Sequence, residues 1–176
     1  MTQMLRSFIA QIDRFAPPTL ATLARFTFAA VLAGYYWASG LTKIDGFGLS
    51  LNGYAQIFPK AMEAVSYDVS ALGPFHALVV AAGTAAEFLL PALLILGLAT
   101  RPAALGMIGF VLVQTATDLW GHGALGQPET LGAWFDRVPD SLIADQRLLW
   151  IALLCVPVFH GAGPLSLDRL IARRIG

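Results

Sequence analysis

An all-α protein, a bundle of four transmembrane helices dressed with short amphipathic helices at its N-terminus, in its outer loops and at its C-terminus, is the fold this sequence predicts. Three observations predict it. Of the 176 residues 57% are hydrophobic and only 12% charged, where a soluble domain is about half apolar and about a quarter charged. Four apolar runs reach the roughly 17–25 residues that a bilayer demands. The basic residues fall unevenly about those runs, as they do in multi-pass membrane chains.

Taken in order, the chain opens with Met4, Leu5, Phe8, Ile9, Ile12 and Phe15 at helical spacing among Arg6, Asp13 and Arg14. That pattern lacks the apolar core of a signal peptide and predicts a short amphipathic helix on the membrane surface, ending at the "APP" of 16–18. The first span occupies about 20–42. Its apolar stretch "FTFAAVLAGYYWASGLT" is bracketed by Arg25 and Lys43, and 18 helical steps of 1.5 Å put about 27 Å between those charges, close to the hydrocarbon thickness. The second span is 75–99, the third 102–120, and the fourth 147–163 with a kink expected at Pro157. The intervening loops, about 44–74 and 121–147, carry "YAQIFPKAMEAVSY" and "LGAWFDRV" and predict short amphipathic helices over one face of the bundle. In the tail, Pro164 ends span four, Ser166 is placed to cap a short helix with Asp168 in its first turn, and Arg169, Arg173 and Arg174 follow. Anionic lipid would hold that helix.

Both termini and the 2–3 turn share a side with Arg6, Arg14, Arg25, Arg101, Arg169, Arg173 and Arg174, against Lys43, Lys60, Arg137 and Arg147 opposite. Seven bases against four predict cytoplasmic termini and outward-facing loops. The chain reads as one membrane domain, 1–176, with its two longer loops facing the periplasm or cell exterior. Membrane lipid is then its first partner. A formal charge of zero gives nucleic acid nothing to bind, and a single cysteine, Cys155, excludes an intrachain disulfide or a CxxC pair.

The chemistry lies in the polar residues of the spans. Glu87 stands twelve residues from either end of span two, where an acid costs on the order of 2.5–3.5 kcal/mol to insert, so it should face the interior and have a partner. A protonated carboxyl hydrogen-bonded to the next helix is the cheapest solution. Two readings stay open for it: a structural acid that ties helices together, or a group that binds or passes something. On span three Gln114, Asp118 and His122 recur at i, i+4 and i+8 and share one face. Lys43, His122 and Arg147 should stand near the mouth of an outward-open cavity lined by Glu87, Gln114 and Asp118, with Arg147 or Lys43 free to pair with Asp118. His76, His122 and Asp118 come from different helices without a ligand-like spacing, so no metal site is predicted. Gly34, Ala38, Gly40, Gly106 and Gly109, with the small residues of 81–86, are accounted for by close helix packing in lipid.

The segments "YYWASGLTKI" (35–44), "AAEFLLPALLILGLATRPAALGMIGFVLVQ" (85–114) and "HGAGPLSLDRLIARR" (160–174) resemble the DoxX family of small four-helix membrane proteins. The resemblance implies a bundle in the inner membrane, similar to the DoxD subunit of thiosulfate:quinone oxidoreductase and to the bundle of vitamin K epoxide reductase. It also implies an association with membrane oxidoreductase complexes and redox or sulfur stress, and for some relatives with metal-handling genes. The family's acid falls on Glu87, its span-one lysine on Lys43 and its turn arginine on Arg101.

Three functions compete on this reading. In the first, the chain is a quinone-binding subunit of an oxidoreductase: Glu87 and Asp118 exchange protons, Gln114, Lys43, His122 and Arg147 supply hydrogen bonds, and Trp37, Tyr36 or Trp150 stacks on the ring. Electrons would then come from a partner, an electron donor or soluble redox protein, since the chain has no dithiol. In the second, it is a non-catalytic module that docks a partner protein through its acidic loops. In the third, it is a small-solute or metal-ion conduit, for which the cytoplasmic half offers little beyond Thr27 and His160. Any of the three is compatible with a homo-oligomer.

Overall fold

The computed structural model describes residues 3–175. Among them four helices are long and apolar enough to cross a membrane: α1 (Gln3–Leu41), α4 (Pro74–Leu96), α5 (Thr100–Gly121) and α7 (Leu142–His160). Between α1 and α4 lie a two-residue-strand hairpin, β1 (Ile44–Asp45) and β2 (Gly48–Leu49), and the short helices α2 (Leu51–Ile57) and α3 (Pro59–Ala64). A single helical turn, α6 (Pro128–Leu131), sits between α5 and α7, and α8 (Leu167–Ile175) forms the tail. The chain is therefore a multi-pass membrane protein in contact with lipid.

Each long helix packs against two others, α1 on α4 and α7, and α5 on α4 and α7, which closes the ring of an up-and-down bundle. Its packed core lies among Phe28, Leu32 and Tyr36 of α1, Leu94 of α4, Ala103, Met107 and Val111 of α5 and Leu154 of α7. A second, smaller cluster forms where Tyr54 of α2 and Met62 of α3 cover Val80 of α4. The loops are thus folded onto the bundle, and the end they cover is called here the loop end; the other is the terminus end.

The N-terminal segment differs from its expected form. It is continuous with the first span, one helix running through Pro17 and Pro18. Two prolines remove the donors for the carbonyls of Asp13 and Arg14, but those residues are exposed, which leaves the two carbonyls open to hydration.

At the terminus end the chain is tied by side chains. Arg25 is buried and donates to four carbonyls: Nε to Leu94 at 2.7 Å, Nη1 to Ala162 and Leu165 at 2.7 Å each, and Nη2 to Ile95 at 2.5 Å. Asp168 of α8 accepts from the backbone N–H groups of Ala99 (2.7 Å) and Thr100 (2.9 Å), capping α5 from outside. Gly97 ends α4 with φ +65°, and a Cβ there would meet Arg25 Cζ and Ser166 Cβ, each at 2.6 Å. Glycine is required at that position by the backbone and by the packing.

Candidate functional site

Three of the bundle's helices contain a widened π-helical turn: Ala29–Ala33 in α1, Thr117–Gly121 in α5 and Leu142–Gln146 in α7. The last two flank an ion pair between a buried arginine and a partly exposed aspartate. Asp118 lies within the α5 turn and Arg147 directly follows the α7 turn, and Arg147 Nη2 donates to Asp118 Oδ2. An i→i+5 turn inserts a residue and re-aims the side chains that follow it, which brings an arginine and an aspartate from antiparallel helices to one level.

A second ion pair joins α1 to α4. Glu87 and Lys43 are both only 4% exposed. Glu87 Oε1 accepts from Lys43 Nζ at 3.0 Å and from Ser39 Oγ at 2.9 Å, and Nζ donates also to Ser39 Oγ at 2.7 Å. Oε2 lies 3.0 Å from the same ammonium but out of line for a hydrogen bond. Glu87 is therefore paired with a lysine rather than with a neutral group, and Lys43 is enclosed rather than at the mouth. The hairpin explains the enclosure: it turns the chain back so that α2 covers the lysine, with Ser50 N–H donating to the Lys43 carbonyl at 2.9 Å. At Gly53 a Cβ would stand 3.1 Å from Lys43 Cβ, so a small residue lets α2 come this close.

Between the two pairs lies a cavity of about 580 Å³. Lys43, Glu87, Gln114, Asp118, His122 and Arg147 all line it, so these six expected site residues share one space. Its apolar wall includes Ala82, Gly83 and Ala86 of α4 and Gly109 and Phe110 of α5. Gly109 has nothing within 4 Å of where a Cβ would stand. Small residues there make room, whereas Gly40, whose Cβ would fall 2.7 Å from the Phe88 ring, does serve close packing of α1 on α4. His122 Nε2 meets the Gln56 carbonyl at 2.9 Å; a carbonyl only accepts, so that nitrogen carries the proton. The contact ties the end of α5 to α2 over the cavity.

Trp37, Trp150 and Tyr36 stand elsewhere. Trp37 is on the outer surface of α1 with Nε1 donating to the Phe88 carbonyl at 3.3 Å, and Trp150 packs on Tyr35 and Tyr36. Tyr36 is fully enclosed in the core. The rings that do face the cavity are Tyr35 and Phe110. Tyr35, Ser39 and Phe110 are site residues that sequence reasoning missed, although Ser39 is four residues before Lys43 and so on its face of the helix. His76 lies against Phe58 with ring centroids 4.8 Å apart and is not part of the lining. Among the described residues no group of three or more His, Cys, Asp or Glu could hold a metal ion.

Residues 20–123 match the family model for DoxX. The chain belongs to the DoxX family. In this DoxX-family protein the match takes in Ser39, Lys43, Glu87, Gln114, Asp118 and His122, and ends before Arg147 and Trp150. No curated protein and no solved structure matches the chain.

Proposed function

We propose that this DoxX-family protein is a quinone-binding subunit of a redox system in the bacterial inner membrane, with its termini cytoplasmic and the cavity near the outer face. The observation that supports this is one cavity that combines an apolar wall with two ion pairs. A quinone requires both: an apolar slot for its ring and hydrogen-bonding groups at its oxygens. The residues present fit that group. Among the described residues six buried side-chain polar atoms lack a hydrogen-bond partner, and four of them, Glu87 Oε2, Gln114 Oε1 and Arg147 Nε and Nη1, belong to the cavity lining. Buried polar atoms are nearly always satisfied, so those of Gln114 and Arg147, in residues that line a void, support a bound polar group there, with Glu87 Oε2 held by the Lys43 charge at 3.0 Å.

When bound there, a quinone would supply electron and proton acceptance. Arg147 and Gln114 would hold a ring oxygen, Phe110 and Tyr35 would flank the ring, and Glu87 with Lys43 and Ser39 would hold or release a proton at the carboxylate. Electrons would come from a partner protein, since a single cysteine provides no dithiol.

The test is mass spectrometry of an organic extract of protein purified in mild detergent, comparing wild type with a folded Glu87→Gln variant. Quinone near one per chain in wild type and depleted in the variant is expected. No enriched quinone in either would overturn the proposal and favour the docking module. That second reading has its own support in the nearly fully exposed Phe47 and Phe135 and the exposed Trp134 on the loops.

A further inference from the structure

We propose that a groove between α1 and the start of α8, at the terminus end, seats one anionic phospholipid, with its phosphate at Arg14 and Arg169 and an acyl chain along α1. The site is separate from the loop-end cavity and independent of the quinone reading. The groove measures about 750 Å³. Arg14, Pro18, Thr22 and Phe26, each four residues from the next, form one wall, with Phe15 and Leu23 beside them. Leu165 and Arg169 stand on the other. Gly163, with φ +74°, lets the chain touch α1 just before α8 begins, since a Cβ there would stand 2.7 Å from Thr22 Oγ1. The walls therefore meet at that point, and the space between them opens outward.

The charge in the groove is of one sign. Among the described residues neither Arg14 nor Arg169 enters an ion pair. The acids next to them in sequence are used or placed elsewhere: Asp168 accepts from the N–H groups of Ala99 and Thr100, and Asp13 is not in the lining. Two positive charges thus share the groove with no acid, whereas in the loop-end cavity each base faces an acid. Guanidinium groups suit the oxygens of a phosphodiester. The rest of the groove is apolar, and Phe15, Leu23, Phe26 and Leu165 are each more than half exposed. A free phosphate would use the arginines and leave that surface bare. A phospholipid uses both.

The depth fits as well. Arg25 is enclosed among carbonyls, so the outward face of α1 carries no charge from Phe15 to Phe26. Twelve steps of 1.5 Å set Arg14 about 18 Å along the helix from Phe26, within the about 20 Å of one leaflet with its headgroups. A headgroup at Arg14 therefore leaves its chain beside Leu23 and Phe26. The basic residues of α8 would by themselves give only a diffuse attraction to anionic lipid. The groove singles out Arg169, which lines it, from Arg173 and Arg174, which do not.

The experiment is native mass spectrometry of the full chain, delipidated in mild detergent and titrated separately with phosphatidylglycerol, phosphatidylcholine and glycerol phosphate. One phosphatidylglycerol per chain is expected, at least fivefold tighter than phosphatidylcholine, with glycerol phosphate failing to displace it. Arg14→Gln and Arg169→Gln should each weaken it about fivefold. The Arg173→Gln, Arg174→Gln double variant removes two charges from the same helix without touching the groove, and should stay within twofold of wild type. All four arginines are exposed, so these variants should fold. Equal binding of the two lipids, or equal losses in the groove and control variants, would overturn the proposal in favour of diffuse attraction. Displacement by glycerol phosphate would reduce the site to an anion site, and a lipid-free dimer broken by Arg169→Gln would give the groove to a second copy of the chain; either result would overturn the lipid assignment.

Discussion

Two buried arginines stand at opposite ends of the bundle and are treated in opposite ways. Arg25, 7% exposed, spends three guanidinium nitrogens on four carbonyls from the end of α4 and the segment before α8. Arg147, 2% exposed, has one carboxylate partner and two bare nitrogens beside a void. The first is a finished lock. It satisfies carbonyls at the end of α4 and before α8, and it holds the chain's tail to the bundle. The second is more enclosed yet unfinished, which a structural role alone would not leave so, because every unmet donor in a low-dielectric site lowers stability. The difference teaches that burial of a charge does not distinguish scaffold from site; the completeness of its hydrogen bonding does.

Replacing each arginine by methionine breaks that comparison most directly. Arg25→Met strips the donors from four carbonyls, so a loss of about 3 kcal/mol or more is expected, seen as a large fall in the thermal midpoint in detergent. Arg25→Lys should rescue little, since one ammonium cannot reproduce a planar fork. Arg147→Met should cost less, about 1 kcal/mol, because a poorly satisfied charge leaves with it and Asp118, partly exposed, can be hydrated. Quinone retention should nevertheless be lost. Equal destabilisation by the two variants would make Arg147 a lock as well.

The Lys43–Glu87 pair is the intermediate case, with one carboxylate oxygen hydrogen-bonded and the other held only by the charge of the ammonium 3.0 Å away. Lys43→Met leaves a buried carboxylate alone and should cost about 3 kcal/mol. Adding Glu87→Leu removes that charge, and most of the stability should return. If the pair were only a bolt, the double variant would also keep its quinone; on the proposal made here it does not. Thermal midpoints and extract analysis of the single and double variants separate the outcomes.

The bundle was legible because bilayer thickness and backbone hydrogen bonding leave a long apolar run little choice but to be a helix. The stripe Gln114–Asp118–His122 was legible too, since three residues at helical spacing share a face. What escaped was set by departures from regular geometry. Lys43 looked interfacial because it follows the last apolar residue of span one, and only the hairpin and the close seat of Gly53 enclose it. Trp37 and Trp150 looked available because aromatic composition carries no information on which side of a helix meets lipid, and the π-turns shift that phase locally. The small residues of α4 and α5 read as contacts, since a sequence does not tell a tight packing from a void.

The smallest expected effect sharpens the scaffold side of the comparison and depends on pH. Partial burial pushes the Asp168 carboxyl up, but the N–H groups of Thr100 and Ala99 and the charge of Arg25 outweigh it and hold the group below its ordinary 3.8. A carboxyl held low when folded binds protons more readily when unfolded. Its contribution is therefore present in full above the ordinary carboxyl range and is lost as the pH falls through the folded value. Asp168→Asn should cost only about 0.5–1 kcal/mol at neutral pH, as for other caps of an α-helix start, and should flatten the acid side of the stability curve below about pH 4. Arg25 keeps its four carbonyls in this variant, so the tail should stay docked. Thermal midpoints of wild type and variant from pH 7 to pH 3 would show two curves converging toward acid, and curves that stay parallel would mean that Asp168 does not cap α5.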